Sequence, residues 1–377
     1  MPIKKILIAN RSEIAIRVMR AANELGLQTV AVYSKEDRLA LHRFKADESY
    51  LIGENLGPVA AYLEVDEIIR VAKHANADAI HPGYGFLSEN PDFVDACDAA
   101  GLVFIGPGSE TMRQLGDKAS ARRVAIEAGV PVIPASGVLG GDFDQIRQQA
   151  ASIGYPLMLK ASWGGGGRGM RTISGPQELE HKILEGRREA ETAFGNGEGF
   201  LEKLIERARH VEVQILGDAN ADLFHLWERD CSIQRRNQKV VERAPAPYLS
   251  QTQREYVCSL AKKIGNQVKY CNAGTVEFLM DMDSGEFFFI EMNPRIQVEH
   301  TVTEIITGID LVRSQILIAQ GKEMFGPEID MPQQEDIPRN GYAVQARITT
   351  EDPANGFAPD YGKISNYRSA AGFGIRL

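Results

Sequence analysis

Two apolar segments joined by a short polar one constrain the fold of this chain more than any other feature of its sequence. Thr275–Phe278 and Phe289–Arg295 contain β-branched and aromatic residues, and Asp281–Glu286 between them is rich in Asp, Ser and Gly. Apolar runs on either side of such a turn-forming segment predict a β-hairpin. The chain therefore contains an antiparallel strand pair with its turn near Ser284.

The predicted hairpin indicates a cation site. With the turn centred on Ser284, Glu277 and Glu291 each lie seven residues away and face each other. Side chains opposite one another have Cβ atoms ~5 Å apart, and like charges there are destabilising. A cation between them removes the repulsion, and the Asn293 carbonyl adds a third hard oxygen, a ligand set that suits Mg²⁺ carried in with a nucleotide. The alternative is a hairpin with two solvated glutamates.

Length and composition narrow the class of protein. A chain of 377 residues is too long for one compact core, so we expect two to four domains. Hydrophobic content of 44% and charged content of 25% are typical of a soluble globular protein. The net charge of −9 argues against a nucleic-acid surface.

We also expect a cytoplasmic protein with no membrane partner. No apolar run approaches the length of a membrane span, and the apolar part of the N-terminus is too short for a signal peptide. The cysteines show no C-x-x-C pairing, which suggests reduced thiols rather than zinc or a disulfide framework: Cys97, Cys231, Cys258 and Cys271.

The first hundred residues alternate between strands and helices. Predicted strands are Ile6–Ala9, Thr29–Tyr33, Ala79–His81 and Val103–Ile105; predicted helices are Glu13–Leu25, Val65–Ala75 and Asn90–Ala100. This alternation predicts a parallel sheet with helices on its faces, an α/β fold. The first turn, Asn10–Glu13, lacks G-x-G-x-x-G, so we expect a Rossmann-like domain that does not bind a dinucleotide.

Later segments divide the rest of the chain. A helix and two prolines at Lys118–Pro134 mark a break, and residues 206–330 carry longer strands. This part closes with a helix over Leu311–Ala319, capped by Asp310. We therefore expect domains at 1–117 and 118–330, the latter including a smaller unit over about 135–205.

The last part of the sequence is predicted to be a linker followed by an incomplete subdomain. Pro327–Pro338 is polar and contains prolines, which is typical of a linker. Gly341–Leu377 is predicted to be strand-rich and stops on the apolar run Phe373–Leu377. Because a domain rarely ends within a strand, we expect residues 331–377 to be the start of a β-rich subdomain and the chain to be a fragment.

A glycine run suggests a nucleotide site. Trp163–Gly169 follows a predicted strand, Leu157–Ala161, that carries Lys160. Successive glycines let backbone N–H groups approach phosphates, although the run is not a Walker A loop and could be a flexible linker. Lys118 and Lys160 are candidate phosphate partners, and Glu202–Ile205, at a strand end, could present backbone groups to an adenine edge.

Two polar clusters point to anion chemistry. Glu228–Lys239, after a strand over Phe224–Trp227, is so densely polar that we interpret it as an anion-binding wall, with a solvated charged loop as the alternative. Downstream of the hairpin, Arg295 can hold a planar oxyanion and Glu299 is placed to act on it as a general base. We interpret His300 as a structural histidine.

Five motifs together resemble the biotin carboxylase component of biotin-dependent carboxylases, an ATP-grasp fold: Ala9–Arg11, His81–Gly85, Gly164–Arg171, Arg229–Glu242 and Glu291–His300. The resemblance covers essentially the whole chain. Within this family, Val240–Tyr248 and Arg347–Pro353 are more similar to the pyruvate carboxylase branch than to the acyl-CoA carboxylases, which remain the alternative.

The resemblance implies roles for residues at the matching positions. ATP would contact a set of polar, glycine and backbone groups: Lys118, Lys160, Gly164, Gly165, Gly166, Gly167, Glu202, Lys203, Ile205, His210, Gln234 and Asn237. Mg²⁺ or Mn²⁺ would bind Glu277 and Glu291 beside Asn293, and bicarbonate would be held by Lys239, Arg295, Gln297 and Val298. Glu299 would be the base, and Arg347 would face biotin on a carrier domain absent from this chain.

The resemblance also implies a ligase activity and its partners. Bicarbonate, activated by ATP through carboxyphosphate, would carboxylate biotin, in a homo-oligomer that works with carrier and carboxyltransferase domains. Asn237 departs from the family, where many members have His in contact with the nucleotide. Two rival functions remain: an ATP-grasp carboxylate–amine ligase, and a non-catalytic nucleotide-binding fragment.

Overall fold

The computed structural model describes residues 3–161, 170–194, 196–235, 238–360 and 364–377. Its N-terminal part is a five-stranded parallel sheet in the order β3-β2-β1-β4-β5. The strands are β1 (Lys5–Ile8), β2 (Gln28–Tyr33), β3 (Glu48–Leu51), β4 (Ala79–His81) and β5 (Val103–Phe104). The helices are α1 (Ser12–Glu24), α2 (Leu41–Lys45), α3 (Val65–His74), α4 (Pro91–Ala99) and α5 (Ser109–Gly116). The parallel sheet predicted from strand–helix alternation is confirmed.

Alternating residues of β1 show why helices cover both faces of this sheet. Ile6 and Ile8 pack into the same core as the buried residues of α1, whereas Leu7 packs with Ile68 of α3 and Phe93 of α4. A strand that is apolar on both faces must be covered on both, as in other parallel sheets.

A small antiparallel sheet follows. It has the order β7-β6-β8 and is built from β6 (Leu157–Ala161), β7 (Arg171–Ile173) and β8 (Gly199–Lys203). The preceding helix, α6 (Lys118–Glu127), packs into the core of the six-stranded sheet, whereas α7 (Phe143–Ile153) and α8 (Leu179–Phe194) pack on the small sheet. Its core contains Leu157 and Leu201 from the sheet and Ile146 and Ile183 from the helices. The predicted strand Leu157–Ala161 is confirmed, whereas Gly164–Gly167 lie outside the described residues.

The largest sheet is six-stranded and antiparallel, in the order β13-β12-β9-β10-β11-β14. Its strands are β9 (Ala208–Gly217), β10 (Leu223–Arg235), β11 (Gln238–Ala244), β12 (Asn272–Asp281), β13 (Phe287–Asn293) and β14 (Ala343–Ala346). The helices that accompany it are α9 (Gln251–Gln267), α10 (His300–Thr307) and α11 (Leu311–Ala319). The predicted bounds of α11 and its Asp310 cap, which accepts from the Arg313 N–H, are confirmed.

The predicted hairpin is β12–β13, and its register contains a bulge. Glu277 pairs with Glu291 and Thr275 with Asn293, as expected for a turn centred on Ser284. Nearer the turn, Phe278 pairs with Phe289, which is one residue out of that register. An extra residue on one strand is the definition of a β-bulge, so the centre predicted at Ser284 holds only on the far side of it.

Two predictions about the last part of the chain are wrong. Pro327–Pro338 is not an open linker, because Met331 and Ile337 are buried in the core that holds α1 and α11. Gly341–Leu377 is not strand-rich in its described residues, 341–360 and 364–377: beyond β14 these residues form only the two-residue strands β15 (Glu351–Asp352) and β16 (Ala358–Pro359), and residues 364–377 form no strand. Among the described residues, no helix has both the length and the apolar character needed to cross a membrane.

Candidate active site

The six-stranded sheet gathers three carboxylates around one lysine. Lys239 of β11 directs its Nζ to Glu212 of β9 at 2.5 Å, to Glu277 of β12 at 2.8 Å and to Glu299, just before α10, at 2.8 Å. All three glutamates are buried. Burial lowers the pKa of Lys239 but the carboxylates raise it more, so the ammonium is charged at neutral pH.

A second cation lies below this cluster. Arg229 is fully buried in β10 and donates from every N–H of its guanidinium. It bonds Glu212 at 2.6 Å, Gln214 at 2.7 Å, and Thr275, Gln297 and Thr303 at 3.0 Å each. Since a buried charge is tolerated only when it is paired and hydrogen-bonded, Arg229 fixes Glu212 and the amide of Gln297.

The carboxylate of Glu299 is held on both sides. One oxygen accepts from Lys239 and the other from Arg347 Nη2 at 2.8 Å. Arg347 follows β14, whose pairing with β11 carries it to the site, and its Nε donates to Glu242 at 2.5 Å. The predicted base and the predicted biotin-facing arginine are therefore in direct contact.

The hairpin glutamates lie in different environments. Burial opposes ionisation of Glu277, but hydrogen bonds and charge from His210 and Lys239 prevail and lower its pKa. Burial raises the pKa of Glu291, and the neighbouring Glu277 raises it further. Glu291 makes no hydrogen bond or ion pair to the described residues. A divalent cation next to Glu291 would supply the missing positive charge, so the carboxylate pair fits Mg²⁺.

Asn293 faces this pair with its amide nitrogen. Its Nδ2 donates to Glu277 at 2.8 Å, and its Oδ1 accepts from Arg295 Nη2 at 3.0 Å. The amide would have to turn over for Asn293 to offer its oxygen to a metal. Asn293 thus lies beside Glu277, and its part in a metal site stays a prediction.

Two predicted nucleotide residues lie beside the carboxylates. His210 Nε2 is 2.7 Å from Glu277 Oε2, and Gln234 Nε2 is 3.2 Å from His210 Nδ1. The contacts of Glu277 and Glu212 outweigh burial and raise the pKa of His210, although Lys239 opposes them. The site thus joins these predicted nucleotide residues to the predicted metal pair.

The remaining predicted nucleotide residues are spread over the small sheet and α6. Lys160 of β6 forms an ion pair with Glu202 of β8. Lys203 donates its ammonium to the carbonyls of Gly154 at 3.1 Å and Tyr155 at 2.7 Å. The backbone N–H of Lys203 donates to the carbonyl of Pro134, and the N–H of Leu204 donates to the carbonyl of Pro156. These two N–H groups are therefore not free to bind an adenine edge. Ile205 is the next residue in the chain. Lys118, at the start of α6, is exposed.

The predicted anion-binding wall is wrong over its first half. Strand β10 continues through the polar cluster, and Glu228, Arg229, Asp230 and Cys231 are buried in it rather than facing an anion. Charges of these residues are neutralised inside the protein, for instance by Arg254 on Glu228 at 2.7 Å. In the second half, Gln234 and Lys239 reach the site. Arg235 forms an ion pair with Glu351 instead. Arg236 and Asn237 lie outside the described residues.

The predicted bicarbonate residues form one edge of the site. Gln297 Nε2 donates to Glu277 at 2.8 Å, and Val298 lies between Gln297 and Glu299 in the turn before α10. Arg295 contacts the carbonyl of Ile296, the side chain of Asn293 and, at 3.3 Å, Glu89 of the N-terminal part. His300 is fully buried with Nδ1 2.7 Å from the Gln297 carbonyl, in agreement with its interpretation as structural.

Glu212 and Glu242 are site residues that the sequence reasoning missed. Glu212 could have been found, since His210, Glu212 and Gln214 alternate with Val211, Val213 and Ile215, and this period of two puts a polar face on a buried strand. Glu242 gave no comparable signal, because its partner comes from a distant segment.

Comparison with known proteins assigns this architecture to a family. Residues 117–325 match the family described as "Carbamoyl-phosphate synthase L chain, ATP binding domain", and residues 2–112 match "Biotin carboxylase, N-terminal domain". The biotin carboxylase domain of the Hydrogenobacter thermophilus 2-oxoglutarate carboxylase, solved with MgADP, ADP and bicarbonate, superposes with a TM-score of 0.88 at 49% identity, covering 100% of this chain and 81% of that one. The chain belongs to the biotin carboxylase family.

Within the family the chain is similar to pyruvate carboxylases. It is 55% identical over 375 residues to pyruvate carboxylase of Staphylococcus aureus, covering 100% of this chain and 32% of that protein. A structure of the Rhizobium etli pyruvate carboxylase T882A with acetyl coenzyme-A shares 62% identity with a TM-score of 0.89, covering 100% of this chain and 34% of that one. The chain thus spans about a third of the length of these relatives.

Proposed function

We propose that this chain catalyses the ATP- and bicarbonate-dependent carboxylation of biotin. The observation that carries the proposal is the buried Glu299 carboxylate, held between Lys239 and Arg347 at 2.8 Å each. A base flanked by two cations, next to Arg295 and a carboxylate pair that fits Mg²⁺, suits deprotonation of a small oxyanion beside a nucleotide phosphate. Family membership supports this assignment.

The charged residues have separate parts in the proposed reaction. Lys239 and Arg295, with Gln297 and Val298, hold bicarbonate, and Glu299 accepts its proton. Mg²⁺ or Mn²⁺ on Glu277 and Glu291 would neutralise charge on the ATP phosphates. The bicarbonate oxygen attacks the γ-phosphorus, and ADP leaves with the electron pair of the broken bond. Positioning and electrostatics supply the rate, since no covalent intermediate with the protein is needed.

The second half of the reaction uses the other side of Glu299. Carboxyphosphate breaks down to CO₂ and phosphate, and phosphate takes the N1 proton of biotin. Arg347 stabilises the resulting biotin enolate. The N1 nitrogen of that enolate attacks CO₂ to form the N–C bond. The protein thus moves one proton at Glu299 and orients the acceptor at Arg347.

The test is ATP cleavage that depends on bicarbonate and is stimulated by free biotin. We expect Glu299→Gln to lower this rate by about 10²–10⁴-fold, because a positioned base contributes that much. Glu255→Gln, at an exposed position of α9, is the matched control and should leave it unchanged. Dependence on an amine instead of bicarbonate, or full activity of Glu299→Gln, would overturn the proposal.

The larger assembly is also a proposal. The similarity to pyruvate carboxylases supports biotin on a carrier domain as the physiological acceptor, and a carboxyltransferase domain that passes the carboxyl group to pyruvate. A homo-oligomer is proposed on family resemblance. A cytoplasmic location remains a prediction, since a human relative 54% identical over 376 residues is named mitochondrial.

A further inference from the structure

Asp230 is a buried carboxylate that the proposed mechanism does not use. It lies on β10 directly after Arg229 and is 1% exposed. Its Oδ1 accepts from the N–H of Ser232 at 3.1 Å, from the hydroxyl of Ser232 at 2.5 Å and from the hydroxyl of Tyr248 at 3.0 Å. Its Oδ2 accepts from Arg243 Nε at 3.0 Å and also from Nη2 of the same side chain. Both oxygens are therefore occupied, as the burial of a charge requires.

The segment that follows Asp230 is a β-bulge. Asp230 of β10 pairs with Arg243 of β11, and the next pair is Ile233 with Val241, so two residues of β10 stand against one of β11. The pairing of β10 with β9 also ends at Asp230, opposite Val211. Bulges beside active sites re-aim side chains, so we asked which side chains this one directs.

The bulge holds two predicted nucleotide residues. The backbone N–H of His210 donates to Ser232 Oγ at 3.0 Å, while the hydroxyl of Ser232 donates to Asp230. Gln234 donates from Nε2 to the Cys231 carbonyl at 2.9 Å, and the same nitrogen lies 3.2 Å from His210 Nδ1. His210 and Gln234 are thus joined to each other and to the bulge.

Tyr248 ties the preceding residue of β9 to the same carboxylate. The guanidinium of Arg209 lies over the Tyr248 ring, 5.0 Å from its centroid, at a distance where a cation is attracted to an aromatic face. The hydroxyl of that ring donates to Asp230. Burial opposes the charge of Asp230, but its hydrogen bonds outweigh burial and lower its pKa. One ionised side chain therefore anchors both Arg209 and His210.

We infer that Asp230 and Ser232 are positioning residues for the nucleotide: they fix the bulge that sets the places of His210 and Gln234. The inference rests on the proposed function, in which ATP is a substrate, and on the predicted contact of His210 and Gln234 with it. Because His210 Nε2 is also 2.7 Å from Glu277, a shift of the bulge would reach the predicted metal pair as well.

The test makes the same substitution at the two ends of one strand pair. Asp230→Asn replaces a carboxylate oxygen by an amide NH₂, which sets a donor against Arg243 or against Ser232 and Tyr248. Asp218→Asn is the matched control. Asp218 is 2% exposed at the other end of the β9–β10 pair, where it accepts from three backbone N–H groups and does not touch the site.

We expect Asp230→Asn to raise the dissociation constant of ATP, measured by calorimetry, about tenfold, the effect of one hydrogen bond to a charged group. The KM for bicarbonate should change less than about twofold, because Lys239 and Arg295 do not contact the bulge. Asp218→Asn should leave both constants within about twofold, even if both variants unfold at a lower temperature than the unaltered chain.

Ser232 gives a milder pair of variants. Ser232→Ala removes the acceptor of the His210 N–H, whereas Ser232→Thr keeps a hydroxyl at that place. We expect Ser232→Ala to raise the dissociation constant of ATP about fivefold and Ser232→Thr to recover most of the affinity. Ser232→Ala should add little to the effect of Asp230→Asn, since both variants act through the same bond.

Three results would overturn the inference: unchanged ATP affinity in Asp230→Asn, an equal loss of affinity in Asp218→Asn, or an equal rise in the KM for bicarbonate. The last two indicate a general loss of structure. If Asp230→Asn does not fold, the Ser232 pair decides, and unchanged affinity in Ser232→Ala or no recovery in Ser232→Thr overturns the inference. Failure of the proposed function is a separate result, because the unaltered chain would then bind ATP without bicarbonate-dependent cleavage.

Discussion

The two sides of the active site differ in the charge of their buried side chains. On the six-stranded sheet, buried charges meet each other: Arg229 and Lys239 lie among Glu212, Glu277 and Glu299. At the edge of the parallel sheet, the buried groups are neutral, an amide at Asn10 and an uncharged imidazole at His81. One side balances charge, and the other fixes shape.

This difference in charge predicts which side keeps its geometry when an anion binds. A bound anion or metal changes the charge balance of the first side, where Lys239 already shares three carboxylates. Asn10 and His81 themselves carry no charge, and their hydrogen bonds end on backbone groups, so they can hold their geometry while charges change on the other side. Replacing residues on each side should therefore have different signatures.

The largest effect is expected on the charged side. Arg229→Met removes one cation from the buried Glu212, which keeps its bond to Lys239, and breaking a buried pair in this way costs about 3–5 kcal/mol of unfolding free energy. Chemical denaturation measures this loss. Arg207→Met, which breaks an exposed ion pair with Asp283, is the control and should cost about 0–1 kcal/mol. Equal losses in the two variants would show that burial does not distinguish these pairs.

The neutral side should respond to pH instead. His81 stays unprotonated in the folded protein down to about pH 3, whereas in the unfolded chain it binds a proton below about pH 6.5. Stability is therefore lost as the pH falls through this window, by about 1.4 kcal/mol per unit from this residue. His81→Asn should reduce the slope of unfolding free energy between pH 6.5 and 5 by about that amount. A slope that His81→Asn does not change would contradict the neutral assignment.

The smallest effect is expected at the hairpin pair of Glu277 and Glu291. Without Mg²⁺, Glu291→Gln removes a like charge opposite Glu277 and should raise the unfolding free energy by about 0.2–1 kcal/mol. The same variant should lose the stabilisation that added Mg²⁺ gives the unaltered chain, as thermal unfolding would show. Glu286→Gln, exposed in the hairpin turn, should behave like the unaltered chain. A destabilised, still Mg²⁺-responsive Glu291→Gln would contradict a metal role.

Local patterns in the sequence predicted much of the fold. The alternation in residues 6–105 gave the parallel sheet, and the pairing of Glu277 with Glu291 followed from turn residues and strand period alone. The bulge beside Glu277 could not be predicted, because it depends on how Phe278 and Phe289 pack against the core. Pro327–Pro338 was misread for the same reason, since its polar composition hides two buried side chains.

The site was predictable where its members are close in sequence, as in Asn293–Glu299. It was not predictable where neighbouring strands place members of one polar cluster differently: Arg229 on β10 is buried in the core, whereas Lys239 on β11 reaches the site. The contacts of Asn10 with the Pro82 and Tyr84 carbonyls join segments more than seventy residues apart, which no local pattern specifies.

The bulge next to Glu277 divides the hairpin into a segment that carries the glutamate pair and a segment that carries the turn. Its register shift lies between the glutamate pair and the turn, so the spacing of the pair is set by the strands below the bulge. The exposed tip around Asp283 and Ser284 can therefore change in length, or carry an inserted label, without shifting the two carboxylates. A spectroscopic probe placed there would therefore leave the spacing of the two carboxylates unchanged.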